Sequence, residues 1–504
     1  MAKHRRTPAP SRTRIRLATA TATAAALTGG LLAVSATSAG AADSVHHPQA
    51  DFNGDGYGDV AISAGDATVS GKKQAGDIVA LYGSASGTTS TKRTTISQDT
   101  SGVPGTAETD DGFGWSSAYG DFNHDGFDDL AVSARWEKVG TDVNGGTVAV
   151  LWGSASGLSG GTTITDPAVS SHDLWGKALA SGDFDGDGKD DLAIGSSSAT
   201  VHVYKGGTTK SASLGGRYTV RPDIVSGGGT GPLSLFAGDV NGDSRSDLVV
   251  NGFETDSDMG YNTNYYVPGS DTGLTTSGAQ QLKRGIITGI GDVNGDGFGD
   301  IVTGQEWDPD LKNADGSTVT VPGSVTGGQI HITYGSGTGP AAATDISQDT
   351  GNVPGGSERG DWFGSELSVG DVNGDGYVDV AVGAAGENLD GVVNAGSVTV
   401  LYGSAEGLNT TSGSQFFAQS TAGVPGSDEK DDYFGSEVKL ADTNKDGKAD
   451  LVVGAIGENG SNGALTYLPS DGTKITATGS RSISTSAAGV STDGSPRFGA
   501  NAAN

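Results

Sequence analysis

The 504-residue chain contains no cysteine, and its basic residues are few. Without cysteine there can be no disulfide bridge, thiolate metal site or cysteine nucleophile. Thirty Lys and Arg residues stand against 60 Asp and Glu residues, which gives a formal net charge of -30. Nucleic acid and anionic lipid are poor partners for such a chain, because they are negatively charged themselves. The acidic composition favours the binding of cations instead.

Long apolar stretches are also missing, except at the amino terminus. Residues 1–16 contain six Lys or Arg residues and no acid, and residues 17–34 are apolar apart from Thr and Gly. The small residues Ala39-Gly40-Ala41 follow, an order typical of a secretory signal peptide. A membrane anchor is the alternative, but the small-residue site favours cleavage. We therefore expect residues 1–42 to be removed and residues 43–504 to be a secreted, extracellular monomer without a membrane span.

A nine-residue acidic loop, such as DVNGDGYVD at 371–379, occurs seven times. The loops begin at Asp51, Asp121, Asp183, Asp239, Asp292, Asp371 and Asp442, so the repeat unit is about 65 residues long. Short runs of alternating apolar residues, such as VDVAVGA at 378–384 and AGSVTVLYGS at 395–404, follow the loop. Between Gly and Asx residues, such runs are typical of β-strands.

Four strands per unit predict a small antiparallel sheet, and such sheets stack radially because one sheet cannot bury both of its faces alone. We predict an all-β fold: a seven-bladed β-propeller of four-stranded antiparallel blades over residues 43–504. In several units a Phe-Gly pair precedes the loop by eight residues, but the last pair, Phe498-Gly499, has no loop after it. We therefore predict that the carboxyl-terminal strand joins blade one and closes the ring. A linear array is the alternative.

The seven loops have the composition of oxygen cages for a hard cation. Positions 1, 3, 5 and 9 are Asp or Asn, position 6 is Gly in six of the seven loops, and position 7 can offer its backbone carbonyl. Ca²⁺ takes roughly six to eight oxygen ligands of these kinds. We predict that the loops bind Ca²⁺ through Asp51, Asn53, Asp55, Tyr57 and Asp59; Asp121, Asn123, Asp125, Phe127 and Asp129; Asp183, Asp185, Asp187, Lys189 and Asp191; Asp239, Asn241, Asp243, Arg245 and Asp247; Asp292, Asn294, Asp296, Phe298 and Asp300; Asp371, Asn373, Asp375, Tyr377 and Asp379; and Asp442, Asn444, Asp446, Lys448 and Asp450.

Other interpretations of the loops are weaker. An EF-hand requires Glu at position 12, where these loops have mostly apolar strand residues, and zinc would require His or Cys ligands. Asx-turns without a metal are the simplest alternative. The loop at 183–191 carries the most charge and should bind Ca²⁺ best, whereas the loop with Ser244 at position 6 should bind worst.

These motifs resemble the FG-GAP repeat family, which includes the amino-terminal propeller of integrin α subunits. The matching residues are the seven loops, Phe113-Gly114, Phe363-Gly364, Phe434-Gly435 and Phe498-Gly499, and Gly383-Ala384-Ala385 and Gly454-Ala455-Ile456 in the GAP position. Trp175-Gly176 replaces the pair in the third unit, and the fourth and fifth units have lost the aromatic residue. The resemblance implies a seven-bladed propeller with loop-bound Ca²⁺ and mostly adhesive roles.

Ligand binding is expected on the face opposite the loops, where the connections between strands two and three and between blades are variable. Exposed Trp beside acidic groups could stack on sugars or anchor a protein partner. The candidate ligand residues are Trp136, Glu137, Glu306, Trp307, Trp362, Glu387 and Glu458. The alternative is that these side chains simply pack between blades. The tripeptide Arg359-Gly360-Asp361 on the same face is interpreted as chance variation.

The function expected from the sequence is that of a secreted, calcium-binding adhesive module for an extracellular protein or glycan. No catalytic residue is predicted, because the six His residues of the mature chain do not recur in the repeats and no nucleophile or phosphate-loop motif is present. The alternatives are an extracellular polysaccharide lyase or hydrolase on a propeller scaffold, and a purely structural surface protein.

Overall fold

The computed structural model describes residues 49–504, apart from residue 170 and the short gaps 208–209, 211–215, 228, 256–260 and 313–317. The predicted signal peptide, residues 1–42, lies outside the described residues. In the described part of the chain, short β-strands form seven antiparallel sheets, and one helical turn, α1 (Glu458–Ser461), is present. None of the described residues form a helix with the length and hydrophobicity needed to cross a membrane.

Each sheet is one blade, and the strands of a blade follow one another in sequence. Blade one contains β1 (Val60–Ala64), β2 (Asp77–Leu81) and β3 (Arg93–Ile96). Blade two contains β4 (Phe113–Gly120), β5 (Asp129–Ala134), β6 (Thr147–Trp152) and β7 (Ser159–Ile164). Blade three contains β8 (Leu179–Gly182), β9 (Asp191–Ile194), β10 (Val201–Tyr204) and β11 (Arg217–Val220), and blade four contains β12 (Ser234–Gly238), β13 (Asp247–Phe253), β14 (Asn262–Val267) and β15 (Gln280–Gln281).

The remaining blades follow the same order. Blade five contains β16 (Ile287–Gly291), β17 (Asp300–Gln305), β20 (Gln329–Thr333) and β21 (Ala343–Ile346), with an inserted hairpin of β18 (Asp310–Lys312) and β19 (Thr318–Thr320). Blade six contains β22 (Phe363–Gly370), β23 (Asp379–Ala384), β24 (Ser397–Leu401) and β25 (Gln415–Phe417). Blade seven contains β26 (Phe434–Ala441), β27 (Asp450–Ala455), β28 (Ala464–Leu468) and β29 (Arg481–Ser484).

Burial falls from the inner strands to the outer strand of each blade. Every residue of β23 is buried, whereas β21 is exposed except at Ile346. The inner strands are Val-, Ala- and Leu-rich because both of their faces lie against neighbouring blades. The outer strands are short and polar, which limits the open edge that each sheet presents. The sequence prediction of a seven-bladed, four-stranded antiparallel propeller is confirmed.

Where it is present, the Phe-Gly pair anchors a blade in the blade before it. The backbone N–H of Phe434 donates to Ala395 of blade six at 3.0 Å, and the Phe434 ring is fully buried. The next residue, Gly435, has a φ of 89°, and a Cβ there would lie 2.3 Å from the Ser397 carbonyl oxygen, so glycine is required. Trp175 occupies the same place in blade three, where its N–H donates to Gly145 at 2.8 Å.

The carboxyl terminus supplies the missing first strand of blade one, as predicted. Ser63 N–H donates to the Asn501 carbonyl at 2.8 Å, Ala503 N–H donates to the Ala61 carbonyl at 2.9 Å, and Gly499 N–H donates to Ser63 at 3.2 Å. Phe498 is fully buried and contacts blade seven through Gly463. The two ends of the propeller therefore complete one sheet, and the ring has no open seam.

The first strands of all seven blades surround a small central cavity of about 130 Å³. Glu366 of blade six and Glu437 of blade seven line it, and Glu437 is buried. Burial raises the pKa of Glu437 well above its usual value, and the nearby Glu366 carboxyl adds to the shift, while Lys439 opposes it. Burial also raises the pKa of Glu366, with a contribution from Glu306. The axis of the propeller thus contains two carboxyl groups whose protonated forms are favoured by burial.

This pair predicts a pH-dependent stability. Because both glutamates bind protons more tightly in the folded chain, their contribution is complete below the pKa of the unfolded chain and is lost as pH rises through the raised folded values. We predict that the melting temperature in chelator falls between about pH 5 and about pH 8, and that Glu437→Gln makes this fall shallower. Thermal unfolding of the exposed-site control Glu406→Gln should match the wild type. An unchanged slope in Glu437→Gln would contradict the prediction.

Candidate metal centre

The acidic loops are the turns between strands one and two of each blade, and their first Asp organises the loop backbone. In the loop at 183–191, Asp183 accepts the N–H groups of Gly186 at 2.8 Å, Asp187 at 3.1 Å and Gly188 at 2.9 Å. Gly186 and Gly188 have φ values of 73° and 82°, which L-residues with side chains adopt only with strain. In the loop at 239–247, Ser244 takes the second of these positions with a φ of 65°.

The fifth residue of each loop makes the Asx-turn that the simplest alternative predicts. Its carboxylate accepts the N–H of position 7. The acceptor and donor pairs are Asp55 and Tyr57, Asp125 and Phe127, Asp187 and Lys189, Asp243 and Arg245, Asp296 and Phe298, Asp375 and Tyr377, and Asp446 and Lys448. The turn uses only one carboxylate oxygen of position 5, so the second oxygen can bind another partner.

The ninth residue lies at the base of the loop and is buried in all seven blades. One of its oxygens accepts an N–H from the turn after strand three. The pairs are Asp59 with Gly83, Asp129 with Gly153, Asp191 with Gly206, Asp247 with Gly269, Asp300 with Gly335, Asp379 with Gly403, and Asp450 with Ser470, at 2.8 to 3.0 Å. Position 9 therefore ties two turns of the same face together, a role that the sequence did not indicate.

Burial is the main cause of the raised pKa of these position-9 carboxyl groups, and the other loop carboxylates add to it. The pKa rises to about 8 at Asp59, Asp129, Asp191 and Asp379, to about 7 at Asp247 and Asp300, and to about 6 at Asp450. Converging carboxylates repel one another in the absence of a cation, so a bound divalent ion would relieve this repulsion.

The loop at 183–191 brings three carboxylates together. One oxygen from each of Asp183, Asp185 and Asp187 lies within 4.8 Å of the others. The other six loops all have Asn at position 3, between the Asp residues at positions 1 and 5. Asn123 and Asn444 donate to the position-9 Asp of their own loops at 2.7 and 3.2 Å. These amides therefore point toward the loop centre as well.

Basic side chains would compete with a cation for the carboxylate oxygens of the loops. Lys205 Nζ lies 2.5 Å from Asp185, and Lys189 Nζ lies 3.0 Å from Asp187. Lys210 and Arg245 pair in the same way with Asp125 and Asp243, at 2.9 and 3.3 Å. The charge advantage predicted for the third loop is thus partly offset by two ammonium groups. A cation would have to displace them or share the carboxylates with them.

The donor set fits a hard divalent cation. All the side-chain donors are oxygens, and the loop at 183–191 also contains a buried oxygen, Asp191 Oδ2, with no hydrogen-bond partner among the described residues. Such oxygens are the ligands that Ca²⁺ prefers. The acidic groups of this loop could therefore hold a metal.

The opposite face carries the predicted ligand residues, which fall into two sets. Glu137, Glu387 and Glu458 each accept a hydrogen bond from a buried glutamine, Gln98, Gln348 and Gln419, at 2.6, 2.8 and 2.5 Å. Trp362 is 38% exposed and stacks on Tyr433, whereas Trp136, Glu306 and Trp307 are half-buried. Asp361 of the Arg-Gly-Asp tripeptide is fully buried, so its carboxylate is not displayed on the surface.

The sequence missed a cleft of about 520 Å³ between blades four and five. His331 lines it, and its Nδ1 lies 2.6 Å from Asp345 of the neighbouring strand. Lys283 and Arg284 also line the cleft. Arg284-Gly285 stands where other blades have the aromatic pair, and the loss of that pair was the only signal in the sequence.

These features define a seven-bladed β-propeller with acidic turns on one face, and comparisons identify repeats of a known type in it. The FG-GAP repeat model matches residues 113–151, 363–401 and 434–468, and the FG-GAP-like repeat model matches residues 183–250. The chain therefore contains FG-GAP repeats in blades two, three, four, six and seven.

Its similar proteins include an integrin alpha chain and a phospholipase. Integrin alpha-PS2 of Drosophila melanogaster is 28% identical over 245 residues, 44% of this chain and 16% of that protein. Phosphatidylinositol-glycan-specific phospholipase D of Rattus norvegicus is 32% identical over 174 residues, 34% of this chain and 18% of that protein. The chain thus matches less than a fifth of the length of these relatives. The solved exotype rhamnogalacturonan lyase YesX aligns over 82% of this chain and 73% of its own at 12% identity, with a TM-score of 0.36.

Removal of a loop carboxylate should matter mainly when calcium is present. With free calcium at about ten to a hundred times the Kd, binding stabilises a fold by about 1.4–2.7 kcal/mol per site. We predict that Asp187→Ala loses stability of this order in millimolar calcium. In chelator it should lose much less, namely the bond to the Lys189 N–H.

The matched control is Asp243→Ala in the loop with Ser244, where we expect a smaller calcium-dependent loss because the strained position 6 weakens the site. Thermal unfolding of both variants with and without chelator measures these differences. Equal losses of Asp187→Ala in the two conditions would exclude a metal role for its loop.

Proposed function

We propose that this protein is a secreted, calcium-binding propeller that binds an extracellular protein or carbohydrate ligand through the face opposite its metal loops. The acidic turns support the calcium sites, and the signal-like amino terminus supports export. The similarity to integrin alpha-PS2 supports a role in ligand binding. The observation that carries the proposal is a cleft on the ligand face between blades one and two.

This cleft has a volume of about 450 Å³ and is lined by Trp136, Lys138, Val143, Glu108 and Asp110, among others. Val143 is 67% exposed, an unusual degree for a large apolar side chain in this fold. An aromatic ring, an exposed apolar side chain and charges of both signs thus share one concave surface. Such a surface suits a sugar ring or an amphipathic segment of a protein.

The aromatic group of the cleft is held rigidly. The Arg135 guanidinium lies 3.7 Å from the centre of the Trp115 ring and 4.0 Å from that of Trp136, and the two indoles meet edge to face at 4.7 Å. Cation–π contacts of this kind fix a side chain before a ligand arrives. A preorganised aromatic anchor loses little conformational entropy on binding.

Calcium has a structural role in this proposal. The loops lie between strands one and two, whereas the cleft is formed by the opposite connections, so a loop-bound ion would not contact a ligand in the cleft. It would instead favour the folded ring by mass action. Ligand binding should therefore weaken in chelator only to the extent that the population of folded protein decreases.

A polysaccharide lyase or hydrolase is the second candidate, and the cleft between blades four and five favours it. Burial lowers the pKa of His331, although Asp345 opposes the shift, and Nδ1 lies 2.6 Å from Asp345 Oδ1. Nε2 then has no partner among the described residues and could accept a proton. Release of new reducing or unsaturated ends from a polysaccharide, abolished by His331→Ala, would support this activity.

The ligand-binding proposal predicts different effects for two tryptophans of the same face. Trp136→Ala should weaken binding to a panel of immobilised glycans and extracellular matrix proteins by at least about tenfold, because an aromatic anchor contributes about 2 kcal/mol or more. Trp362→Ala, outside the cleft, is the matched control and should bind as the wild type does. Equal binding by all three proteins would place the ligand elsewhere, and no binding by the wild type would contradict the proposal.

A further inference from the structure

We infer that a second class of divalent-cation site, separate from the acidic loops, lies on the ligand face at the boundaries between blades. Its best example is formed by Glu358, Asp361 and Glu387, between blades five and six. One carboxylate oxygen of each residue lies within 4.8 Å of the other two. Glu358 is exposed, but Asp361 is fully buried and Glu387 is 5% exposed, so two of the three carboxylates lie away from solvent.

A buried glutamine provides an independent indication of a missing ligand. Gln348 is only 3% exposed, and its Nε2 donates to Glu387 at 2.8 Å, which places the amide beside the carboxylates. Its Oε1 has no hydrogen-bond partner among the described residues, and neither does Asp361 Oδ1. Buried polar atoms are rarely left unsatisfied. The cluster thus has one unsatisfied oxygen on Asp361 and one on the neighbouring Gln348, and a bound cation would satisfy both.

The hydrogen bonds around this cluster recur at two other boundaries, although among the described boundary residues only Glu358, Asp361 and Glu387 bring three carboxylate oxygens within 4.8 Å of one another. Gln98 and Gln419 are 4% and 5% exposed, their Nε2 groups donate to Glu137 and Glu458, and their Oε1 atoms also have no described partner. The buried Asp111 and Asp432 occupy the place of Asp361, and each accepts the N–H of a glutamate, Glu108 and Glu429, as Asp361 accepts that of Glu358. Because an amide oxygen without a hydrogen-bond partner recurs at three boundaries, it is a regular feature of the repeat and not a local packing defect.

Blade one shows the arrangement that replaces the cluster. Two residues before Phe498 the chain has Pro496, where the other boundaries have Asp361 or its equivalents, and the position of Glu387 is taken by the buried Ala67. This blade boundary therefore closes without a carboxylate at either position, although the adjacent Asp66 lies 3.9 Å from Arg497. Since the acids are not needed to join blades, their burial at three boundaries requires another explanation.

No basic side chain of the described residues is paired with the cluster of Glu358, Asp361 and Glu387. The nearest sequence candidate, Arg359, lies 4.0 Å from Asp308 and 3.5 Å from Asp310 instead. The available donors are carboxylate and amide oxygens only, which match a hard cation such as Ca²⁺ and not zinc. We therefore assign Ca²⁺ to this site, with Gln348 Oε1 as a neutral ligand.

The position of Trp362 allows this site to be observed separately from the loops. A Cβ built on Gly386, the residue before Glu387, would lie 3.1 Å from the Trp362 indole. Tb³⁺, an oxygen-seeking substitute for Ca²⁺, emits when a tryptophan close to it is excited. We predict that the wild-type protein shows Tb³⁺ emission under tryptophan-selective excitation, that Trp362→Phe loses part of it, and that millimolar Ca²⁺ competes with it.

Substitutions separate the two classes of site. Glu387→Gln should weaken the Trp362-dependent emission by at least about tenfold in Tb³⁺ concentration, because the affinity of such sites follows the number of ligand charges. Asp187→Asn, in a loop of the opposite face, is the control and should leave this emission unchanged.

If Glu387→Gln does not fold, the comparison of the wild type with Trp362→Phe still decides. Absence of any Trp362-dependent emission, or emission that Ca²⁺ does not displace, would overturn the assignment. Unchanged emission in folded Glu387→Gln would do the same.

Discussion

The whole ring depends on the insertion of each blade's first strand into the blade before it. A four-stranded sheet of Val, Ala and Leu residues cannot cover its own faces, so every blade needs a neighbour on each side. Phe434 and Phe498 meet this need with a buried ring and one backbone hydrogen bond, and the following glycine lets two backbones approach closely. The carboxyl-terminal Phe498 makes the same contact as the internal pairs. The ring is therefore closed by the same interaction that joins the other blades. The closed ring then fixes which turns share a face.

That division of faces gives the carboxylates of this acidic protein two different environments. On the loop face, position-9 residues such as Asp379 are buried but receive backbone N–H groups, so the turns keep their shape by hydrogen bonds alone. An ion would add to a framework that already exists. On the other face, Asp361 and Gln348 are buried with acceptor oxygens left over. The first environment tolerates the absence of a cation, whereas the second leaves polar groups unsatisfied without one.

The sequence predicted those features that depend on periodicity and local turn chemistry. The number of blades, the strand order and the joining of Phe498 to blade one all follow from the spacing of repeated motifs, and the structure confirms them. The loops were located for the same reason. Contacts between residues far apart in sequence were not predicted, because a residue type that recurs does not show which side chain the fold will bring to it. The link of Gln348 to Glu387 spans 39 residues, and the pairing of Lys205 with Asp185 joins two different turns of one blade.

Departures from the repeat explain why the blade boundaries differ from one another. Blades four and five lack the aromatic pair, and the large cleft with His331 lies between them, since no Phe ring fills the boundary. Blades two, six and seven keep the pair and also carry a buried aspartate, Asp111, Asp361 or Asp432, at the boundary. In these blades the two features are linked along the chain: Asp361 lies two residues before Phe363, so the strand that docks the ring also carries the carboxylate into the boundary. Blade one has Pro496 at the corresponding position, so Phe498 docks there without that carboxylate.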